Sequence, residues 1–170
     1  MEKKINKHGL IVNEEKNCLQ DLSNGNMNFK LEYLGYEFTY QRTLKVDMST
    51  KKLNAYKEKI DKAISTYLLS PMQMKHKRLL ISRIRFLTGN TKLTNNKGGA
   101  FTGIFYSNRF INVDKKISDL DKYLDHKICA IPNDVLKCKL RKLKFKKGFD
   151  EKTFRFFSPM ELSNITRIWK

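Results

Sequence analysis

Three aspartates, Asp119, Asp121 and Asp125, form the densest acidic group in the chain. Metal-dependent phosphoryl transfer needs carboxylates that converge on two Mg²⁺ ions about 4 Å apart. Here the carboxylates follow a helical spacing and alternate with Lys122 and Lys127, a pattern typical of a solvated helix face. No two aspartates are adjacent anywhere in the chain. The sequence therefore predicts no metal site and no cofactor bound by this chain.

The histidines and cysteines also do not form a catalytic or metal-binding pattern. The residues concerned are His8, His76, His126, Cys18, Cys129 and Cys138. Neither residue type has the spacing of zinc ligands, and three cysteines without a Cys-x-x-Cys pair argue against a disulfide framework. We therefore expect a reducing, cytoplasmic location.

Positive charge is the strongest chemical feature of the sequence. The 170 residues carry a formal net charge of +18. Residues 1–48 are neutral, residues 49–113 carry thirteen basic and two acidic residues, and residues 114–170 carry fifteen and eight. This excess predicts a polyanionic partner, because basic side chains neutralise phosphates and release counterions. No apolar run approaches the roughly 20 residues of a spanning helix, so nucleic acid is favoured and any membrane contact is expected to be peripheral.

Hydrophobic spacing predicts an α+β fold that is mostly α, with a small N-terminal β hairpin followed by a basic helical bundle. Alternating Leu31, Tyr33, Tyr36, Phe38 and Tyr40 favour extended chain around a turn at Gly35. From residue 49 onward, apolar residues recur at three- and four-residue steps. The predicted helix starts are Ser49, Ser70–Pro71, Asp114, Pro132–Asn133 and Ser158, the last as a capping box. Residues 89–113 are predicted to form a long loop followed by buried aromatic anchors.

Two ordered motifs occur in the neutral segment, GLIVNEEK at residues 9–16 and LEYLGYEF at residues 31–38. Their order and spacing resemble the end of the palm in bacterial reverse transcriptases of the retron, group II intron and phage-defence kinds. In that family a glycine-leucine strand leads to an Asn-x-x-Lys turn. A Phe-Leu-Gly hairpin called the primer grip follows, and then a lysine-rich helical thumb. The resemblance implies a palm edge over residues 1–48 and a thumb-like domain over residues 49–170.

Lys16 matches the lysine of the family's turn. The resemblance implies that it approaches the phosphates of an incoming nucleotide and donates a proton to the leaving pyrophosphate, and an exposed loop lysine is the alternative. Asn17 stands where threonine is usual, and the Tyr-x-Asp-Asp motif of the catalytic palm is absent. The resemblance therefore implies that Mg²⁺ belongs to an intact polymerase and that this chain is not catalytic alone.

The primer-grip hairpin matches Tyr33, Leu34, Gly35 and Tyr36, with Tyr33 where phenylalanine is usual. The implied role is to hold the 3′ end of a primer on the backbone of the turn. The alternative is an ordinary hairpin that packs its aromatic residues into the core.

Two groups of basic residues are the predicted nucleic-acid contacts. They are Lys75, Lys77, Arg78, Arg83 and Arg85 in the second helix, and Lys139, Arg141 and Lys142 in the fourth. No acidic residue interrupts the chain between Asp61 and Asp114, whereas a merely solvated helix face usually mixes both signs. A solvated face remains the alternative for the first group, and contact with anionic lipid is the alternative for the second.

These observations favour the C-terminal part of an RNA-directed DNA polymerase, a nucleotidyltransferase, that binds template-primer nucleic acid. Its expected partners are RNA or an RNA–DNA hybrid, together with a fingers–palm part that supplies the missing aspartates. The main alternative is a free-standing basic RNA-binding module without enzymatic activity. A third possibility is a peripheral membrane or effector-binding protein.

Overall fold

The computed structural model describes residues 29–71, 73–93 and 99–169. Its first three strands are β1 (Phe29–Tyr33), β2 (Tyr36–Tyr40) and β3 (Leu44–Met48), which form an antiparallel sheet in that order. Leu34 and Gly35 join β1 to β2 with φ angles of +48° and +78°. A two-residue turn with two positive φ angles matches the twist of the flanking strands. The predicted hairpin is therefore present, and β3 adds a strand that the sequence pattern did not indicate.

The first two helices form the long hairpin that the apolar spacing predicted. Helix α1 spans Thr50–Leu68, and the Ser49 hydroxyl caps it by accepting a hydrogen bond from the Lys52 amide. Helix α2 spans Met74–Thr88 and ends at Gly89. The prediction that Ser70 and Pro71 start α2 is wrong, because their backbone belongs to the turn after α1. The Ser70 amide donates to the carbonyl oxygen of Tyr67, whose hydroxyl donates to the carbonyl oxygen of Pro71.

Two of the three strands of a second, shorter sheet lie in the segment that the sequence predicted as a loop. Its strands are β4 (Asn90–Lys92), β5 (Phe101–Gly103) and β6 (Phe154–Arg155). Strand β4 lies in the middle, antiparallel to β5 and parallel to β6. The aromatic anchors predicted after the loop are only partly correct: Phe101 and Phe110 are 48% and 63% exposed. Ile104 and Asn108, which follow β5, are fully buried.

The buried carboxamide of Asn90 connects four parts of this region. Its Nδ2 donates to the carbonyl oxygens of Gly148 and Thr153, at 3.1 and 3.2 Å, and its Oδ1 accepts from the amide of Phe105 at 2.9 Å. A side chain that is 99% buried must have partners for its polar atoms, because an unpaired amide would lose its bonds to water. Asn90 therefore fixes β4 against the helices on either side.

The remaining helices are α3 (Ile104–Asn108), α4 (Lys115–Ile128), α5 (Asp134–Arg141), α6 (Phe145–Asp150) and α7 (Pro159–Thr166), followed by a 3₁₀ turn at Arg167–Trp169. The predicted caps at Asn133 and Ser158 are confirmed, the latter as a complete capping box with Glu161. Asp114 occupies the N-cap position of α4 without a side-chain cap bond. Its carboxylate pairs instead with Lys146.

One apolar cluster includes Met48 from β3 and the inward faces of the helices. It contains Leu53, Ile60, Ile84, Ile117, Leu120, Leu124, Ile128, Leu140 and Phe145 among others. Helix α1 packs against both α2 and α4, and Trp169 Nε1 donates to the carbonyl oxygen of Lys59 at 3.1 Å. The fold is α+β and mostly α, as the sequence predicted. The boundary after residue 48 remains a prediction.

Candidate nucleic-acid interface

Two stretches of basic residues that are about 55 positions apart in sequence lie side by side on the surface. Helix α5 packs on α2, and a cavity of about 530 Å³ between them is lined by Arg78 and Arg85 from α2 and by Lys139 and Lys142 from α5 and its C-terminal end. An adjoining cavity of about 340 Å³ adds Lys77 and shares Arg78 and Lys139. We call the surface formed by these residues, Lys77, Arg78, Arg85, Lys139 and Lys142, the basic groove.

Helical periodicity explains why these cations share one surface. Arg78, Ile81 and Arg85 recur at steps of three and four residues, so they lie on one face of α2. Ile81 and Leu143 line the groove and also pack against the apolar core. Arg78 and Arg85 therefore project from a helix face that Ile81 holds against the core. Glu161, in the first turn of α7, is the one acidic residue among those that line the two cavities.

Many acidic residues of the described segments pair with lysines outside the groove. The pairs include Lys116 with Glu37, Lys127 with Asp61, Lys144 with Asp125, and Lys146 with Asp114 and Asp150. No ion pair within the described ranges involves a residue of the basic groove. The folded chain therefore separates its charges, and the groove keeps its positive potential for an external anion.

The other predicted contact residues lie outside the groove. Lys75 lines a third cavity, between α2 and α7. Arg141 points to the end of α4, where its guanidinium lies 3.8 Å from Sγ of Cys129. The prediction that Arg83 belongs to the exposed basic face is wrong: it is 5% exposed, because its position on α2 faces α7. Lys16 lies outside the described residues.

The prediction of a solvated face for the three aspartates of α4 is also wrong in part. Asp121 accepts hydrogen bonds from the amides of Phe145 and Lys146, at 2.6 and 3.0 Å, and so satisfies the first turn of α6. Burial raises the pKa of Asp121, and the two amide bonds oppose that shift. Asp125 is paired with Lys144, and Asp119 is the most loosely held of the three, 3.7 Å from Lys122. These carboxylates thus stabilise the fold, and the described segments contain no cluster of metal-ligand type.

The tip of the first hairpin is exposed on one side and firmly supported on the other. Tyr33 and Leu34 are 61% and 77% exposed. Gly35 approaches the start of α1 closely enough for its carbonyl oxygen to accept from the Ser49 amide at 3.0 Å. Tyr36 donates from its hydroxyl to the carbonyl oxygen of Ser107, which also accepts from Lys52 Nζ. The tip is therefore presented on a rigid support.

Three residues beside the hairpin were not among the predicted site residues. Lys52 Nζ lies 5.1 Å from the centroid of the Tyr36 ring, and Phe110 meets the same ring edge-on at 6.0 Å. The Arg109 guanidinium stacks over Phe110 at 4.7 Å. Burial raises the pKa of Tyr36 and lowers that of Lys52. The adjacent Arg-Phe pair was the available signal in the sequence, and its position beside the hairpin depends on the tertiary fold.

None of the helices in the described segments is both long and apolar enough to cross a membrane. Comparison with protein-family models, with curated proteins and with solved structures finds no match for this chain.

Proposed function

We propose that this chain is the C-terminal palm edge and thumb of an RNA-directed DNA polymerase related to the retron and phage-defence reverse transcriptases, and that it holds a template-primer duplex. The observation that carries the proposal is the basic groove, whose five cations have no acidic partner within the described segments while other lysines are paired. The exposed hairpin tip at Tyr33 and Leu34 adds support, because a primer-grip element must be accessible.

The groove suits a sugar-phosphate backbone in charge and in composition. Lysine and arginine contacts to phosphates provide affinity without reading sequence, which is what a polymerase thumb requires. In an intact family member the reaction would be template-directed addition of deoxynucleotides to a primer 3′ hydroxyl. The carboxylates of α4 do not fit a Mg²⁺ pair, because Asp121 is bonded to backbone amides and Asp125 to a lysine. The proposal therefore assigns duplex binding to this chain, with the fingers–palm part and a cytoplasmic setting as its context.

The direct test is the salt dependence of binding to an RNA–DNA hybrid. Replacing Arg78 and Lys139 with glutamine should weaken binding about tenfold near 0.1 M salt and reduce the slope of log K against log salt by about 2. The matched control replaces Lys30 and Lys122, two surface lysines that sit in ion pairs and lie outside the groove. The control carries the same change in net charge and should keep the wild-type slope. Equal slopes for both double variants would reject the groove as the backbone contact.

A free-standing RNA-binding module is the second candidate. The two candidates differ in whether they prefer a nucleic acid with a recessed 3′ end. A thumb with a primer grip should prefer a hybrid with a recessed 3′ end over single-stranded RNA of the same length. A plain cationic module should bind both, or favour the single strand. The purified chain should not incorporate nucleotides when it is given primer-template and Mg²⁺. Incorporation would overturn the proposal that the fingers–palm part supplies catalysis.

A further inference from the structure

Arg83 differs from the other cations of α2 because it lies inside the protein. It is 5% exposed, and its Nε has no hydrogen-bond partner among the described residues. No carboxylate of the described segments pairs with its guanidinium. The side chain lines a cavity of about 370 Å³ between α2 and α7, which we call the Arg83 cavity. A buried arginine beside open space is an unusual arrangement.

Burial of an unpaired guanidinium is costly. Arginine stays charged in proteins, so the lost hydration must be replaced by bonds to another group. Burial lowers the pKa of Arg83, which reflects the same cost. Arginine side chains nevertheless stay protonated in proteins at neutral pH. The chain provides no partner in its described segments, and an external anion would provide one.

The lining of the cavity is suited to an anion with more than one negative charge. Lys75, Arg78 and Arg167 join Arg83 as cations. Polar side chains of Ser82 and Asn164 add hydrogen-bonding groups, and Leu79 and Ile165 form an apolar wall. Four cations and one acidic residue favour a dianion over a single carboxylate.

Glu161 is the acidic residue in the lining, and its role in the fold limits its effect on the cavity. Its carboxylate accepts from the Ser158 amide at 2.8 Å as half of the capping box of α7. It lies beyond ion-pair distance of Arg83 in the structure. The internal alternative is that Glu161 turns to pair with Arg83, and the tests below distinguish it.

We propose that the Arg83 cavity binds a terminal phosphate group, carried either by the 5′ end of a nucleic-acid strand or by a free mononucleotide. A guanidinium presents two parallel N–H groups that match two phosphate oxygens. A phosphate inside a duplex backbone is esterified on both sides and stays at the surface. A terminal phosphate is esterified on one side, so it can enter the cavity and reach a buried side chain. The cavity volume lies within the range of small-ligand sites.

The inference does not depend on the proposed thumb function, because its first probe is inorganic phosphate. Wild-type protein should gain thermal stability with phosphate, compared with chloride at equal ionic strength, since a ligand that binds only the folded state stabilises it. Arg83→Met should remove this gain. It should also be at least as stable as wild type in chloride, because it removes an unpaired buried charge. Arg141→Met, at an exposed arginine outside both the basic groove and the Arg83 cavity, should keep the gain.

Glu161→Gln separates the external anion from the internal partner. Glutamine preserves the capping-box hydrogen bond and removes the negative charge from the cavity. We expect phosphate to bind this variant about threefold more tightly than wild type. If Glu161 were the partner of Arg83, Glu161→Gln and Arg83→Met would both be strongly destabilised in chloride, and phosphate would not stabilise wild type. That pattern would overturn the proposal.

The ¹⁵N resonance of Arg83 Nε gives a readout that does not depend on any variant folding. It should shift saturably as phosphate is added to wild-type protein, and no shift would overturn the proposal. Two further probes identify the source of the phosphate. If a strand with a 5′ phosphate binds at least fivefold more tightly than the same strand with a 5′ hydroxyl, strand ends are the ligand. Equal strand affinities with a saturable shift by adenosine 5′-monophosphate assign a free nucleotide.

Discussion

The hydroxyl of Tyr36 donates a hydrogen bond of 3.1 Å to the main-chain carbonyl oxygen of Ser107, which lies 71 residues further along the chain. This bond joins the second strand of the hairpin to the end of α3. Lys52, from the first turn of α1, donates to the same oxygen. Three segments therefore meet at one acceptor, and their meeting point fixes the orientation of the hairpin tip.

Tyr36→Phe should lower the free energy of unfolding by about 0.5–1 kcal/mol, because it removes one hydrogen bond and keeps the ring. The value should lie at the low end, since Lys52 still satisfies the Ser107 oxygen. Urea unfolding followed by circular dichroism measures the change. Tyr33→Phe, across the turn and 61% exposed, should stay within about 0.5 kcal/mol of wild type. If both variants lost the same free energy of unfolding, the hydrogen bond to Ser107 would not contribute measurably to stability.

Leu34→Asn should raise the free energy of unfolding by about 0.5–1 kcal/mol. Leucine at a φ of +48° is strained, whereas asparagine tolerates this conformation and is favoured in two-residue hairpin turns. The control is Leu69→Asn, a leucine that is 84% exposed but has an ordinary φ of −65° and should gain nothing. If Leu34 contacts a primer, its variant should also lose preference for a recessed 3′ end, so stability and binding would change in opposite directions. A destabilised variant would contradict the strain argument.

Asp114→Asn should lower stability at neutral pH by a few tenths of a kcal/mol and have no effect at strongly acidic pH. The hydrogen bond from Lys146 holds the pKa of Asp114 below its ordinary value. Its stabilising contribution is therefore present above the unfolded-state pKa of about 4 and is lost as pH falls through the lower folded-state pKa. The side chain is 45% exposed, which limits the effect. Urea titrations at several pH values measure it, and a difference that grew toward low pH would contradict the assignment.

Gly148→Ala should destabilise the fold by roughly 3 kcal/mol, or prevent folding, because it forces two backbones apart. A Cβ at this position would lie 1.7 Å from the carbonyl oxygen of Thr88 at the end of α2. Lys147→Ala, one position earlier in α6 and exposed, is the control and should change stability by less than about 0.5 kcal/mol. Thermal unfolding provides the comparison. A folded and equally stable Gly148→Ala protein would mean that α2 and α6 are not in close contact.

The helical part of the fold was predictable because its signals are local. Apolar spacing and the caps at Ser49, Asn133 and Ser158 act within one or two turns. The second sheet was not predictable, since its strands are two or three residues long and β4 pairs with β6 across more than sixty residues. The cations of the groove were identified from the sequence. That they form one surface could not be predicted, because it depends on the packing of α5 on α2. Arg83 was predicted to lie on the exposed face of α2, because arginine is rarely buried. Its burial in the structure is an exception to this rule, and it drew attention to the Arg83 cavity.

The many contacts of Asn90 also make that residue a point of chemical weakness. Asparagine is a thermolabile residue that can deamidate to aspartate. A carboxylate there would place oxygen against the carbonyl oxygens of Gly148 and Thr153, which now accept from Nδ2. It would also create a charge where the residue is 1% exposed. Conversion of this one side chain to a carboxylate would therefore weaken the attachment of β6 and α6 to β4 at the same time.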